Sequence, residues 1–270
     1  LAYLGAFTLA SVGHTVMSRR MLRRGGIKPE MVAPEPELEG RLRQHLLWTV
    51  VLVLAYTFSH VSIETYLLNA TVGVAEVGFF TIAAALSRGG VDLLASGLMT
   101  VMMPIMAHGY GEGGMERVSE IMGHCLRYCL FIGLLLIGIG VLLARPGVVL
   151  MYGERYEAVV SAFRVMVVVG GLTLGEAAFG SLLSTTDNQR MRVVFAILSL
   201  VVTAGFAFAL VPRFGLVGAV ASHAASRLLI FGLVAAMITR RLSLRLPWRE
   251  FLRLGGCALL AGAVAAALVF

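Results

Sequence analysis

The chain has 270 residues, of which 59% are hydrophobic and 14% charged, and its mean hydropathy is +0.89. A soluble domain carries about 25% charged residues, so this composition excludes an ordinary water-soluble domain and points to an integral membrane protein. The net charge of +7 sits in loops that flank apolar runs; no basic helix with interleaved aromatics lies outside those runs, which argues against nucleic-acid binding.

Residues 1–17 read as the end of a membrane helix rather than a signal peptide. They lack a basic start and a cleavage site, and Arg19, Arg20, Arg23 and Arg24 follow directly. Residues 18–44 form a polar linker. Its centre holds Pro29, Pro34 and Pro36 among Glu30, Glu35, Glu37 and Glu39, a poor helix former. Apolar runs then predict membrane spans over 45–68, 77–107, 121–143, 157–184, 191–211 and 215–239, a six-helix bundle across 45–239. Residues 240–270 are a second polar loop and the start of a further helix. Both termini fall inside apolar runs, as expected of a portion of a longer polytopic chain whose first half-bundle lies outside this sequence.

Placing the linker on the cytoplasmic side sets the orientation. Cytoplasmic connections then hold Arg117, Arg190, Arg192, Arg240, Arg241 and the linker cations, whereas the opposite side holds only Arg145, Arg155 and Arg213, the asymmetry expected of a positive-inside protein. The segment 145–156, with Tyr152 and Tyr156, is expected at the outer interface. Small residues such as Ala83, Ala84, Gly170, Gly171, Gly218 and Ala221 suit close helix packing in lipid. Cys125, Cys129 and Cys257 form no CxxC pair; they read as packing residues, and no metal or cofactor is expected.

Ionisable residues inside spans carry the functional argument, because a charge near the bilayer midplane is costly unless paired or hydrated. Arg88 and Asp92 lie at i and i+4 beside Gly89 and Gly90, with Pro104 closing the helix. They either neutralise each other or line a cavity. His223 and Arg227 share a face one turn apart, and Glu176 lies in mid-span, placed to pair with an arginine or take part in ion coupling. Arg127 and Arg164 lie near helix ends and can snorkel, while His60 and Glu64, also at i and i+4, read as a local pair.

The junction 210–219 (LVPRFGLVGA) is physically legible: Pro212 stops one helix, Gly215 permits a turn, and Gly218 with Ala219 lets the next helix approach closely. It resembles the corresponding turn of the oligosaccharide flippases, the polysaccharide-biosynthesis branch of the multidrug, oligosaccharidyl-lipid and polysaccharide exporter superfamily. Residues 77–83 (VGFFTIA), 152–156 (YGERY) and 187–189 (DNQ) agree with that family in order and spacing. An acidic-basic pair common in the family's seventh helix is half present here, since Glu64 is followed by Thr65.

The resemblance implies an all-α, MATE-like polytopic bundle that is part of a 12 to 14 helix protein of the bacterial cytoplasmic membrane, expected as a monomer. It implies transport of an isoprenoid-linked glycan by alternating access, with membrane lipid around it and no bond made or broken. A pyrophosphate headgroup passing through the membrane calls for fixed positive charge, best met by the bidentate fork of arginine. Arg88 and Arg227 fit that role, with Asp92, Glu176 and His223 as candidates for coupling or charge pairing. The alternatives are a cation-coupled multidrug exporter of the same superfamily and a membrane-embedded polysaccharide polymerase or ligase.

Overall fold

In a computed structural model, residues 12, 13, 16, 17, 20, 21, 36–60, 63–186, 188–241, 253 and 255–257 are described, with 36–38, 41, 55–60, 189 and 241 described by their backbone alone. The expected helix end over 1–17, most of the linker, Asp187 and most of 242–270 lie outside the described residues. Contacts divide the chain into residues 1–44 and 45–270. In the first unit the described positions between 12 and 21 are helical and exposed; all that follows concerns the second.

Every regular element among the described residues is helical. Helix α1 is Pro36–His60, α2 is Ile63–Thr71 and α3 is Val74–Tyr152; α4 is Ala158–Leu172, α5 is Glu176–Thr185 and α6 is Gln189–Arg241. Short 3-10 turns, Glu154–Tyr156 and Thr173–Gly175, lead into α4 and α5. The fold is thus all-α, and three stretches, Val74–Tyr152, Ala158–Thr185 and Arg190–Arg240, are long and apolar enough to cross a membrane.

The two longest helices are each two helices joined by a tight glycine turn. In α3 the break falls at Gly113 and Gly114, the latter with φ 60° and ψ −148°; in α6 it falls at Gly215, with φ 56° and ψ −130°. Both glycines hold a backbone conformation that a side chain would strain. Across the first turn, Ile121 lies against Gly109 and Leu136 against Gly90, pairings that only an antiparallel hairpin allows. Each arm, roughly 40 to 60 Å long at 1.5 Å per residue, exceeds the ~30 Å hydrocarbon core of a bilayer.

Several boundaries differ from the sequence reading. Pro104 does not close its helix, which continues to the Gly113 break, and Pro146 also lies inside α3. A proline removes one backbone hydrogen bond, and packed neighbours in a membrane helix tolerate that loss. The segment 145–156 is therefore mostly helix, ending at Gly153 with φ 88° before the 3-10 turn. The predicted span 45–68 comprises two helices, α1 and α2, and the predicted span 157–184 is interrupted at Thr173–Gly175.

Helix α4 is gripped by both arms of α3. A Cβ on Gly133 would run into the Gly171 carbonyl oxygen, and one on Gly171 would lie 2.6 Å from that of Gly133. On neighbouring turns Gly170 receives Val91 and Gly140 receives Val167. Lipid offers no hydrophobic drive to join helices, so such backbone-to-backbone contact supplies the packing attraction.

The apolar interior splits into two cores at opposite ends of the bundle. One gathers Leu68, Phe80, Ala83, Val148, Val159, Met166, Val211 and Ala219. The other gathers Met102, Met106, Val118, Met122, Cys129, Leu182, Phe195, Ile230 and Ile238. On 74–112, 158–185 and 216–241 the residues between the two sets are polar. Outward positions such as Leu93, Leu150, Phe208 and Val217 are exposed and apolar, as expected of helix faces that meet lipid.

Candidate functional site

The polar layer between the two cores is built from the middles of three helical segments. Residues 74–112 bring Ser87, Arg88 and Asp92; 216–241 bring Ser222, His223, Ser226 and Arg227; the 3-10 break in 158–185 brings Thr173 and Glu176. Their depth follows from sequence position, because the chain advances 1.5 Å per helical residue and each lies between its helix's contributions to the two cores.

A pocket of about 260 Å³ opens in this layer. Arg88, Asp92, His223 and Arg227 line it together with Ser87, and Val91, Met166, Val169 and Gly170 form its apolar wall. Arg88 and Arg227, chosen from sequence as two separate midplane cations, therefore face one space. Gly170 contributes by lacking a side chain: a Cβ there would lie 2.5 Å from Val91 Cγ2.

Two ionic contacts organise the layer. Arg227 donates from Nη1 to Glu176 Oε2 at 3.0 Å, and both side chains remain partly open, at 39% and 34% exposure. His223 Nδ1 lies 4.0 Å from Glu64 Oε1, and the Glu64 side chain is almost fully buried at 4% exposure. The Glu176 carboxylate holds Arg227 through one oxygen, while Oε1 is enclosed without a hydrogen-bond partner. Ser226 donates to the His223 carbonyl at 3.1 Å, closing a local turn of hydrogen bonding.

Of the two readings for Glu176, pairing with an arginine is the one observed. Arg88 and Asp92 share the pocket but form no ion pair with each other among the described residues. Asp92 is exposed and Arg88 half-buried. Outside the layer, Arg164 is exposed and Arg127 half-buried; the His60 side chain, and with it the expected His60 and Glu64 pair, lies outside the described residues.

Sequence reasoning underweighted Glu64, Ser87, Ser222 and Ser226. The pattern that carries the serines was present: Ser222 with Ser226 and His223 with Arg227 are two i, i+4 pairs in an otherwise apolar helix, which gives that helix one polar stripe. Glu64 had no such signal, since its partner is on another helix. The layer sets two guanidinium groups against three carboxylates, Glu64, Asp92 and Glu176, with His223 among them. Chemically it can hold an ion by opposite charge and hydrogen bonds.

The chain matches no family model, no curated protein and no solved structure. The functional argument rests on this geometry and on the composition of the helices.

Proposed function

We propose that the chain is the substrate-handling bundle of a flippase that carries a lipid-linked oligosaccharide or polysaccharide precursor across a bacterial cytoplasmic membrane by alternating access. The observation that carries this reading is the convergence of Arg88 and Arg227, from two different helices, on one pocket midway between the apolar cores. An anionic headgroup crossing hydrocarbon loses its water, and guanidinium forks replace that hydration with charge-assisted hydrogen bonds. Arg88 and Arg227 bind the headgroup; Val91, Met166 and Val169 exclude water from one side of it.

The test is complementation. In cells dependent on the full-length protein, Arg88→Ala and Arg227→Ala each abolish surface polysaccharide while the protein remains in the membrane at normal abundance. Wild-type polysaccharide with both variants overturns the reading.

A second reading, a cation-coupled multidrug exporter, draws on the three carboxylates of the same layer. It expects tetraphenylphosphonium to bind with loss in Asp92→Asn, whereas the flippase reading expects no saturable binding of that cation.

A further inference from the structure

The pocket presents its two arginines in different states. Arg88 makes no ion pair among the described residues, whereas Arg227 is held by Glu176 at 3.0 Å. Arg227 lines the pocket and Glu176 does not, so the guanidinium stands with the pocket on one side and the carboxylate on another. The hold is through a single oxygen, and the second oxygen of Glu176, though buried, gains no hydrogen bond from the pairing. A guanidinium fork is best satisfied by two parallel bonds to one planar or tetrahedral anion, and Glu176 supplies half of that. Both side chains of the pair are more than a third exposed, so an incoming anion can reach it.

We propose that Glu176 is the resting occupant of Arg227, an internal anion that a phosphate-bearing headgroup displaces when it enters the pocket. The inference rests on the flippase reading and adds an order of events to it. The headgroup docks first on Arg88. It then takes Arg227 from Glu176, because a diphosphate offers several oxygens to the fork where the carboxylate uses one. Between loads Glu176 takes Arg227 back, so the pocket never presents a bare guanidinium to a low-dielectric interior, where an unpaired charge is strongly disfavoured. Substrate release is thereby assisted by a group the chain itself carries.

The experiment is equilibrium binding of farnesyl pyrophosphate to the full-length protein in lipid nanodiscs, with farnesol as the uncharged control. Glu176→Gln keeps the side-chain shape and an acceptor oxygen but removes the competing charge; the expected result is binding about five- to tenfold tighter than wild type. Glu176→Asp, which draws the carboxylate back by one methylene, tightens binding less. Arg227→Gln weakens binding, and adding Glu176→Gln to it changes nothing further. Circular dichroism and thermal unfolding establish that each variant is folded, and Glu176→Asp carries the test if Glu176→Gln is not.

Unchanged or weaker binding by folded Glu176→Gln, with wild type still preferring farnesyl pyrophosphate to farnesol, overturns the exchange and leaves the flippase reading standing. If neither protein distinguishes farnesyl pyrophosphate from farnesol, both fall. Inorganic pyrophosphate separates the possible sources of the headgroup. The same preference for the variant marks the free diphosphate as sufficient, and a preference confined to farnesyl pyrophosphate marks the lipid-linked form; either result supports the exchange.

Discussion

The turn at Gly215 offers the sharpest test of how the site is positioned. Helix 216–241, which carries His223 and Arg227, begins there, and the backbone N–H of Leu216 donates to Glu76 Oε2 at 2.9 Å. Glu76 is 140 residues earlier in the chain, so this is a helix cap supplied by a different helix. It fixes the end of the arginine-bearing segment to the start of the helix that carries Arg88.

Removing the acceptor with Glu76→Ala leaves that N–H unsatisfied at a half-buried helix start, a loss of about 1–2 kcal/mol. Glu76→Gln keeps an amide oxygen in place and loses only the charge at the helix N-terminus, about 0.3–1 kcal/mol. At Gly215 the φ of 56° makes Gly215→Ala cost about 1–3 kcal/mol in backbone strain. An added Cβ would also lie 3.1 Å from Glu76 Oε2, so the carboxylate must retreat. The two sites therefore couple, and the double variant Glu76→Ala with Gly215→Ala loses less than the sum of the singles, by about 0.5–1 kcal/mol.

Denaturant titration of the purified protein in lipid nanodiscs measures all four species. Additive losses would show that no contact links the carboxylate to the turn, and an unchanged midpoint for Glu76→Ala would remove the cap altogether.

Other outcomes follow from the same contacts. Gly171→Ala and Gly133→Ala each destabilise by about 1–3 kcal/mol, since the methyl meets a facing backbone; Gly138→Ala, which meets nothing within 4 Å, serves as the neutral control in the same titration. A thiol-reactive maleimide added to the folded protein labels Cys257 and spares Cys125 and Cys129, which are buried; mass spectrometry of the labelled peptides checks this, and rapid labelling of Cys129 would contradict the helix packing. Arg190 stacks over the Trp48 ring at 5.5 Å, so Arg190→Ala costs about 0.5–1 kcal/mol of stability, measured by thermal unfolding against Trp48→Leu, in which Arg190→Ala then has no further effect. Arg227→Lys retains charge but loses the fork, and complementation by it is expected to fall well below wild type.

Hydropathy made the membrane class and most helix boundaries legible. The turn at Gly215 could be read from Pro212, Gly215 and Gly218, and there Gly218 indeed lies against the Leu210 carbonyl with no room for a Cβ while Ala219 is fully buried. Pro104 misled, because a proline stops a helix in water more reliably than in a packed bundle. The break at Thr173–Gly175 left no sequence mark beyond its glycine and threonine, both common inside membrane helices.

The amino-acid order settled how deep each charge lies, because depth is simply residue number multiplied by a fixed helical rise. Arg88, Asp92, Glu176, His223 and Arg227 were therefore found as midplane residues before any coordinates. Rotation about each helix axis is a different quantity. A helix apolar on nearly all sides has no strong face to orient it, so the sequence left open whether Arg88 would turn toward Asp92, toward lipid or toward Arg227. Packing decided that: the glycine contacts of α4 with both arms of α3, and the Glu76 cap on helix 216–241, set the rotations that bring Arg88 and Arg227 to one pocket and give Arg227, not Arg88, a carboxylate partner.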